Sequence, residues 1–191
     1  MIRPLKILLV SLCVVLLILV TWVGVSLLAI RGMETPSYTV AYSARTFELR
    51  EYAPQIIAEV MIKAEFEKAI QEGSRILKEY FPGHSIVREI VTGESGDTHL
   101  ISFVLHSSST MESIPKPENK NIRLYALPAA RYAAISFSGF PTEIRVAQQK
   151  RKLLQQLKAN GGTALSEAVY VRHHPLYVIP FLMKHEVVVM I

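Results

Sequence analysis

The sequence predicts an α+β domain behind a single transmembrane helix. The domain consists of two ββαββ units that form one twisted, mainly antiparallel sheet with two helices on one face. Three observations indicate this class. An uncharged apolar segment opens the chain, strand and helix patterns then occur twice in the same order, and a Tyr-Ala motif recurs at the same place in both halves. The residues after the apolar segment suffice for one domain with its own core.

The apolar segment covers residues 7–30 without a charged side chain. At about 1.5 Å per residue it can cross a hydrocarbon core about 30 Å thick. A cleaved signal peptide is the alternative, but its apolar region usually has about 7 to 15 residues and ends at a small-residue cleavage site. We therefore expect residues 1–31 to be an uncleaved membrane anchor. Arg3 and Lys6 precede the segment and Arg31 follows it, which favours an extracytoplasmic domain, on the periplasmic side in a bacterium.

Composition excludes several kinds of site. The single cysteine, Cys13, lies in the apolar segment, so the domain offers no disulfide and no thiolate for an iron–sulfur cluster, zinc or haem. The net charge is +5, but 18 basic and 16 acidic residues remain when Arg3, Lys6 and Arg31 are set aside. A nearly neutral domain lacks the basic surface of a nucleic-acid-binding protein, so we expect no nucleic-acid partner.

The first unit follows a polar connector at residues 32–44, so the domain is expected to occupy residues 45–191. Alternation of apolar and polar residues predicts its strands, and three- and four-residue spacing predicts its helix. We interpret the first two strands as a hairpin. The predicted elements are strands 46–52 and 56–62, helix 63–81, and strands 85–91 and 99–106.

The second unit follows a Ser- and Pro-containing loop at residues 107–121 and repeats this order. Thr142 is a suitable N-cap for its helix, and Asn160-Gly161-Gly162 ends that helix. Tyr52-Ala53-Pro54 and Tyr125-Ala126-Leu127-Pro128 both separate the first two strands of their units, which indicates an internal duplication. The predicted elements are strands 122–127 and 132–137, helix 142–158, and strands 168–172 and 186–191.

The two helices are expected to share one face of the sheet, because neither unit can bury the apolar stripe of its own helix alone. A groove between the halves, lined by helices and loops, would suit an apolar small molecule. The sequence contains no nucleophile motif, Gly-rich phosphate loop or metal-spaced histidine pair, and Asp97 is its only aspartate. These patterns predict a binding protein rather than an enzyme.

Histidines provide the first candidate ligands. His173 and His174 follow a predicted strand and precede Pro175, where an imidazole can reach an iron or a ligand carboxylate. Both are candidate metal ligands, although neighbours on an extended backbone point in opposite directions and could not both bind the same ion. A polar loop end is the alternative interpretation. His99 and His106 are expected at the solvent-exposed ends of their strand.

Two glutamates interrupt apolar strands. Glu186 opens the last strand and lies either at the sheet end or in the groove as a fixed polar group. Glu59, inside the second strand, is its counterpart in the first unit.

Four motifs together resemble one family over nearly the whole domain. They are Phe47-Glu48-Leu49-Arg50-Glu51-Tyr52-Ala53-Pro54, Ile114-Pro115-Lys116-Pro117, Phe137-Ser138-Gly139 and Pro180-Phe181-Leu182-Met183-Lys184-His185-Glu186-Val187. They are similar to segments of the SOUL/haem-binding proteins, which share a duplicated ββαββ fold with gyrase-inhibitor-like small-molecule-binding domains. The chain departs from the family pattern in two places, at residues 86–90 and at His185, which replaces an Asn.

The resemblance implies that haem or another tetrapyrrole binds in an apolar cleft, often without an obligatory axial ligand and with cationic side chains near the propionates. It places the cleft along the second helix of the domain and residues 170–186. Two alternatives remain open: a gyrase-inhibitor-like sensor or hydrolase that uses a groove glutamate, and a non-catalytic envelope module that receives a peptide. The candidate ligand-binding residues are His173, His174, Tyr177, Phe181, Lys184 and Glu186.

Overall fold

A computed structural model of the chain describes residues 2–31, 37–82, 87–92, 98–105, 108–175 and 177–191. His106, residues 32–36 of the predicted connector and the start of the predicted strand 85–91 lie outside these ranges. Within them, the helices are α1 (Ile2–Arg31), α2 (Phe66–Tyr80) and α3 (Glu143–Ala159), with a short 3-10 helix at Pro180–Leu182. The strands are β1 (Tyr38–Ser43), β2 (Glu48–Tyr52), β3 (Gln55–Lys63), β4 (Val87–Thr92), β5 (Thr98–Val104), β6 (Ile122–Leu127), β7 (Ala130–Phe137), β8 (Val169–Arg172) and β9 (His185–Met190).

The strands of these described ranges form one antiparallel sheet in the order β1-β2-β7-β9-β8-β4-β5-β3-β6. The first unit contributes β2 to β5 and the second contributes β6 to β9. By position in their units, β2, β3, β4 and β5 correspond to β6, β7, β8 and β9. If each strand between β2 and β6 in the sheet is replaced by its counterpart, the result is the same strand order read from the opposite edge. The units are therefore related by a pseudo-two-fold axis between β4 and β8, which confirms the predicted α+β class and the duplication.

The predicted hairpin is wrong, because the first two strands of each unit do not pair with each other. β2 pairs with β7, with Glu48 opposite Ala134, and β3 pairs with β6. A two-residue hairpin turn needs a positive φ at its first central residue, which Ala53 disfavours. The described non-glycine residues include none with positive φ. The chain instead crosses at Ala53-Pro54 from one half of the sheet to the other.

Strand β1 lies in the segment predicted as a connector. It pairs with β2, with Tyr38 opposite Tyr52, and it is an edge strand whose residues are mostly exposed. An exposed edge strand needs no apolar alternation, because backbone hydrogen bonds to its neighbour hold it. The sequence pattern that marks half-buried strands is therefore missing here.

Both domain helices pack on the same face of the sheet, as predicted. Phe66, Ile70 and Leu77 of α2 lie over the first unit, and Leu153 and Leu157 of α3 lie over the second. The opposite face holds a smaller apolar cluster, formed by Ile57, Val104, Ala134, Val169, Val171 and Val188. Because the helices cover one face, any cleft in the sheet must open on the other.

Gly73 allows α2 to lie close to β5, and replacing it with Ala tests that contact. A Cβ at this position would lie 2.6 Å from the Cβ of Ile101. Overpacking costs about 1–3 kcal/mol, against about 1 kcal/mol gained from the better helix propensity of alanine. We expect a net decrease in the free energy of unfolding, measured by urea unfolding of the detergent-solubilised protein with circular dichroism.

The matched control is Glu72→Ala, an exposed position on the same helix, which should change stability by no more than about 0.5 kcal/mol. A raised urea midpoint for Gly73→Ala would contradict the close approach of α2 to Ile101.

Candidate functional site

A polar row of seven residues, six of them polar and the seventh a valine, crosses the sheet face opposite the helices. Cross-strand register places its members side by side on seven neighbouring strands, and the pseudo-two-fold axis passes between the directly opposite Arg88 and Val171. The middle of the row is buried and its two ends are exposed. In sheet order the row reads Ser136, Glu186, Val171, Arg88, Ser102, Glu59 and Arg123.

Glu186, Val171 and Arg88, three neighbours in this row, form the floor of a cleft. With its open mouth the cleft has a volume of about 350 Å³. Its walls combine apolar and polar side chains. The lining residues are Val104, Val171 and Val188, together with Tyr52, Gln55, Arg88, Tyr132, His173 and Glu186.

The expectation that helices and loops line the groove is wrong. Each lining residue of this cleft lies on a strand or directly after one. The apolar stripes of α2 and α3 are buried against the other face of the sheet and therefore leave no helix surface for the cleft.

Glu186 is the centre of the polar contacts at the cleft, and its side chain is 1% exposed. Its Oε1 oxygen accepts hydrogen bonds from Arg50 Nη1 at 2.9 Å and Ser136 Oγ at 3.0 Å, and Lys184 Nζ lies 3.1 Å away. Its Oε2 oxygen accepts a bond from His173 Nε2 at 2.7 Å. Both carboxylate oxygens are therefore engaged.

These contacts keep Glu186 ionised. Burial alone would raise the pKa of Glu186, but the hydrogen bond from His173, followed by the charges of Arg50 and Lys184, holds that pKa well below its usual range. An ionised carboxylate can only accept hydrogen bonds, so the Nε2 atom of His173 carries a proton. Glu186 is thus a fixed anion at neutral pH.

Arg50 connects Glu186 to two phenols, that of Tyr52 in the first unit and that of Tyr38 on β1. Its guanidinium also pairs with Glu48 at 2.7 Å, donates to the Tyr52 hydroxyl at 3.2 Å and lies 4.3 Å from the centre of the Tyr38 ring. Burial lowers the pKa of Arg50, but Glu186, Tyr52 and Glu48 raise it further than burial lowers it. Burial and the Glu186 carboxylate raise the pKa of Tyr52 to about 12. Tyr52 therefore remains a neutral phenol that faces the cleft.

The two adjacent histidines have different partners. The Nδ1 atom of His173 is buried and has no hydrogen-bond partner among the described residues. The Nδ1 atom of His174 accepts a bond from the backbone N–H of Lys184 at 3.0 Å, and burial and nearby charge lower the pKa of its ring. This nitrogen of His174 is therefore engaged, and metal binding by either histidine stays a prediction. The described residues hold no cluster of three or more metal-binding side chains.

The remaining predicted site residues are divided between two places. The ammonium of Lys184 contacts Glu186, as described above. Tyr177 and Phe181 are exposed, lie in the connection between β8 and β9, and do not line the cleft. Both therefore lie apart from this cleft, and their part in ligand binding stays a prediction.

Sequence reasoning missed the residues that the first unit supplies. Arg50 lies on the polar side of a strand whose other side holds Phe47 and Leu49, so alternation predicts an exposed side chain there, whereas it is 3% exposed. Alternation therefore gave no signal for the burial of Arg50 or Arg88. Tyr52, Gln55 and Tyr132 carried none, because tyrosine and glutamine are common at strand ends.

His99 also departs from its prediction. It is 1% exposed and lies on the helix-covered face, where its Nδ1 atom is 2.8 Å from Glu89 Oε1. Lys150 of α3 approaches the other oxygen of Glu89 at 3.4 Å. The expected solvent-exposed strand end is therefore a buried ion-paired site, in which the His99 ring also packs against Phe66 of α2.

His185, which replaces the Asn of the family pattern, is fully buried beside the cleft residues. Its Nε2 atom lies 2.9 Å from the Gly139 carbonyl oxygen, and the Tyr170 hydroxyl lies 2.8 Å from its Nδ1 atom. A carbonyl can only accept, so Nε2 is the protonated nitrogen and Nδ1 accepts from Tyr170. Burial lowers the pKa of His185 to about 4.

Replacing Glu186 with Gln should lower the free energy of unfolding by about 3 kcal/mol at neutral pH, because the change leaves Arg50 and Lys184 beside an uncharged group inside the fold. The contribution of Glu186 is present above the pKa of the unfolded carboxyl, about 4.5. It is lost as the pH falls further, because the unfolded chain then binds a proton that the native state does not. The deficit of the variant should therefore shrink on acidification, as measured by urea unfolding at several pH values.

The control for this variant is Glu51→Gln. Glu51 also pairs with an arginine across the sheet, Arg131 at 2.7 Å, but both side chains are exposed. The loss there should stay below about 1 kcal/mol. Equal losses in the two variants would contradict the account of Glu186 as a buried, structurally required anion.

His185 should make stability depend on pH in a second window. The unfolded chain binds a proton at this histidine below about pH 6.5, whereas the native state does so only near pH 4. The free energy of unfolding should therefore fall by up to about 3 kcal/mol between these values as the pH is lowered. A His185→Gln variant should lose this slope, and an unchanged slope would show that His185 is not a buried neutral ring.

Comparisons with known proteins agree with this fold. The family model described as SOUL heme-binding protein matches residues 33–190. Comparison with curated proteins gives no match. The C-terminal domain of EcmrR has a TM-score of 0.57 at 12% identity, covering 80% of this chain and 96% of that one. A hydrolase from Listeria innocua has a TM-score of 0.51 at 12% identity, covering 78% of this chain and 93% of that one. These identities support a shared fold alone.

Proposed function

Since the chain belongs to the SOUL heme-binding protein family, we propose that it binds haem or a related tetrapyrrole in the cleft. The observation that carries this proposal is the Arg88 guanidinium, which lines the cleft together with the apolar side chains of Val104, Val171 and Val188. Arg50 and Lys184, by contrast, already pair with Glu186. Such a floor favours an amphipathic ligand with anionic groups, which describes a tetrapyrrole with its propionates.

The walls of the cleft suit the two parts of such a ligand. Val104, Val171 and Val188 offer apolar contact to a ring system, and Tyr132 adds an aromatic surface. The guanidinium of Arg88 and the phenol of Tyr52 provide donors for carboxylates. A tetrapyrrole is larger than the space now inside the cleft, so binding requires the walls to move apart.

His173 fits the role of an axial ligand. Its Nε2–H is directed at Glu186, and the Nδ1 atom on the other side of the ring lacks a hydrogen-bond partner among the described residues. A carboxylate that holds the second nitrogen is the usual support of a metal-bound histidine. When bound, haem supplies a redox-active iron, and His173 would hold that iron while Glu186 fixes the orientation of the ring.

We propose a binding role rather than hydrolysis. A general acid or base works best when its pKa lies near the operating pH, whereas contacts hold the pKa of Glu186 well below its usual range. Both of its oxygens are also occupied. The alternative of a hydrolase or sensor that uses this glutamate is therefore less favoured, although a neighbour in fold is called a hydrolase.

We further propose that α1 anchors the chain in a membrane with the domain on the extracytoplasmic side. The segment Lys6–Arg31 is long and apolar enough to span a bilayer, and its hydrophobic side chains are largely exposed rather than buried in the domain. A signal sequence near the N-terminus would pass the same test of length and composition. Extraction of the expressed protein from membranes with alkaline carbonate distinguishes the two.

The test of the ligand is a haem titration of the detergent-solubilised full-length protein followed by absorbance. We expect saturable one-to-one binding by the wild type. His173→Ala should shift the Soret band and weaken binding, because it removes the proposed axial ligand. His174→Ala is the matched control and should leave the Soret band in place.

A second comparison tests the cations. Arg88→Gln should weaken haem binding about tenfold, the equivalent of about 1.4 kcal/mol, and should leave binding of the haem dimethyl ester unchanged. The absence of saturable binding by the wild type would overturn the tetrapyrrole proposal and favour a peptide-binding module. An unshifted Soret band in His173→Ala would overturn the axial assignment alone.

A further inference from the structure

We propose that the connection between β8 and β9 is a membrane-docking loop, with Tyr177 and Phe181 immersed in the lipid beside α1. The proposal rests on the part of the proposed function in which α1 spans the bilayer. It does not depend on haem binding.

Direct contacts join the loop to α1. The indole Nε1–H of Trp22 donates to the Tyr177 carbonyl at 2.8 Å, and the backbone N–H of Ile179 donates to Ser26 Oγ at 3.1 Å. Ser26 is fully buried by this contact. The Tyr177 side chain also borders a surface hollow formed with α1, whose other lining residues are Leu17, Ile18, Thr21, Trp22 and Val25.

The position of these contacts along α1 sets the depth of the loop. The apolar run of residues 7–30 is about 36 Å long, about 6 Å more than a hydrocarbon core. Ile30 lies eight residues beyond Trp22, about 12 Å along the helix. Even if the whole surplus protruded at this end, Trp22 would remain about 6 Å inside the hydrocarbon boundary. A loop that hydrogen-bonds to both Trp22 and Ser26, which is one turn nearer Ile30, therefore lies at the lipid–water boundary.

The composition of the loop suits that depth. Residues 175–183 contain no charged side chain. Tyr177 is 57% exposed and Phe181 is 70% exposed, although both are large apolar groups. The Gly139 N–H donates to the Pro180 carbonyl at 2.8 Å, which brings the exposed Phe140 to the same end of the domain. Aromatic residues are enriched at the boundary between lipid and water, where their apolar rings and polar atoms are both satisfied.

The loop is connected to the cleft at both of its ends. His173 precedes it and Lys184 follows it, and both contact Glu186. Docking would therefore hold the cleft one short loop away from the lipid. Ligands that partition into the bilayer would then be concentrated next to the site.

The test uses nitroxide labels on full-length protein reconstituted in vesicles of phosphatidylcholine with a minor fraction of phosphatidylglycerol. Cys13→Ser removes the single cysteine, and Phe181→Cys or Tyr177→Cys introduces the label. We expect a label at 181 to be more accessible to oxygen than to a water-soluble nickel chelate. The control is Leu165→Cys: Leu165 is 65% exposed and its N–H bonds to the Met190 carbonyl, at the opposite end of β9. A label there should show the reverse preference.

Quenching of Trp22 by brominated lipids in the unmodified protein tests the anchor separately, because Trp22 is the only tryptophan. If lipid quenches Trp22 but labels at 177 and 181 behave like the label at 165, the docking proposal is overturned and the anchor stands. If lipid does not quench Trp22, both proposals are overturned. Oxygen-accessible labels at 177 or 181 together with a quenched Trp22 support docking.

Discussion

A carboxylate cannot stay ionised inside a protein without compensating partners, and the arrangement around the cleft follows from that requirement for Glu186. Its partners come from both units: Arg50 lies on β2, whereas Ser136, His173 and Lys184 belong to the second unit. Burial of this single charge therefore stabilises the crossing of β2 into the other half of the sheet. The same contacts orient His173 and exhaust the hydrogen-bonding capacity of Glu186, which leaves recognition to the donors around it.

The duplication preserves the backbone but not the chemistry of the polar row. The pair Ser136 and Glu186 occupies the place that Glu59 and Ser102 occupy in the first unit, with the two residue types exchanged. Glu59 accepts its hydrogen bond from the neutral phenol of Tyr125, whereas Glu186 is surrounded by cations. Glu59 thus lies outside the cleft and accepts a hydrogen bond from a neutral group. Glu186 lies at the cleft floor and is paired with three basic side chains.

Patterns among neighbouring residues predicted most helices and strands of this fold. The pairing of the strands could not be predicted in this way, because it depends on residues far apart along the chain. The bounds of α3 followed from Thr142 and the Asn-Gly-Gly stop, because caps depend on neighbouring residues only. The strand crossing at Ala53-Pro54 depends on partners far along the chain. Arg50 and Arg88 became interpretable once the helix-covered face was known, since only then do buried charged side chains on the opposite face indicate a cleft. Alternation indicated that His173 and His174 differ, but the partner Glu186 determined which one faces the site.

The residues on the pseudo-two-fold axis have a consequence for how the two ends of a ligand are told apart. Identical units joined at such an axis would place identical side chains opposite each other, and a bound molecule turned end over end would meet the same surroundings. Here Arg88 stands opposite Val171. If the ligand is rotated end over end, the part that contacted the guanidinium of Arg88 contacts the isopropyl group of Val171 instead. The two binding poses therefore differ in energy at the centre of the cleft floor. A single residue difference at the axis is therefore enough to make a duplicated scaffold directional.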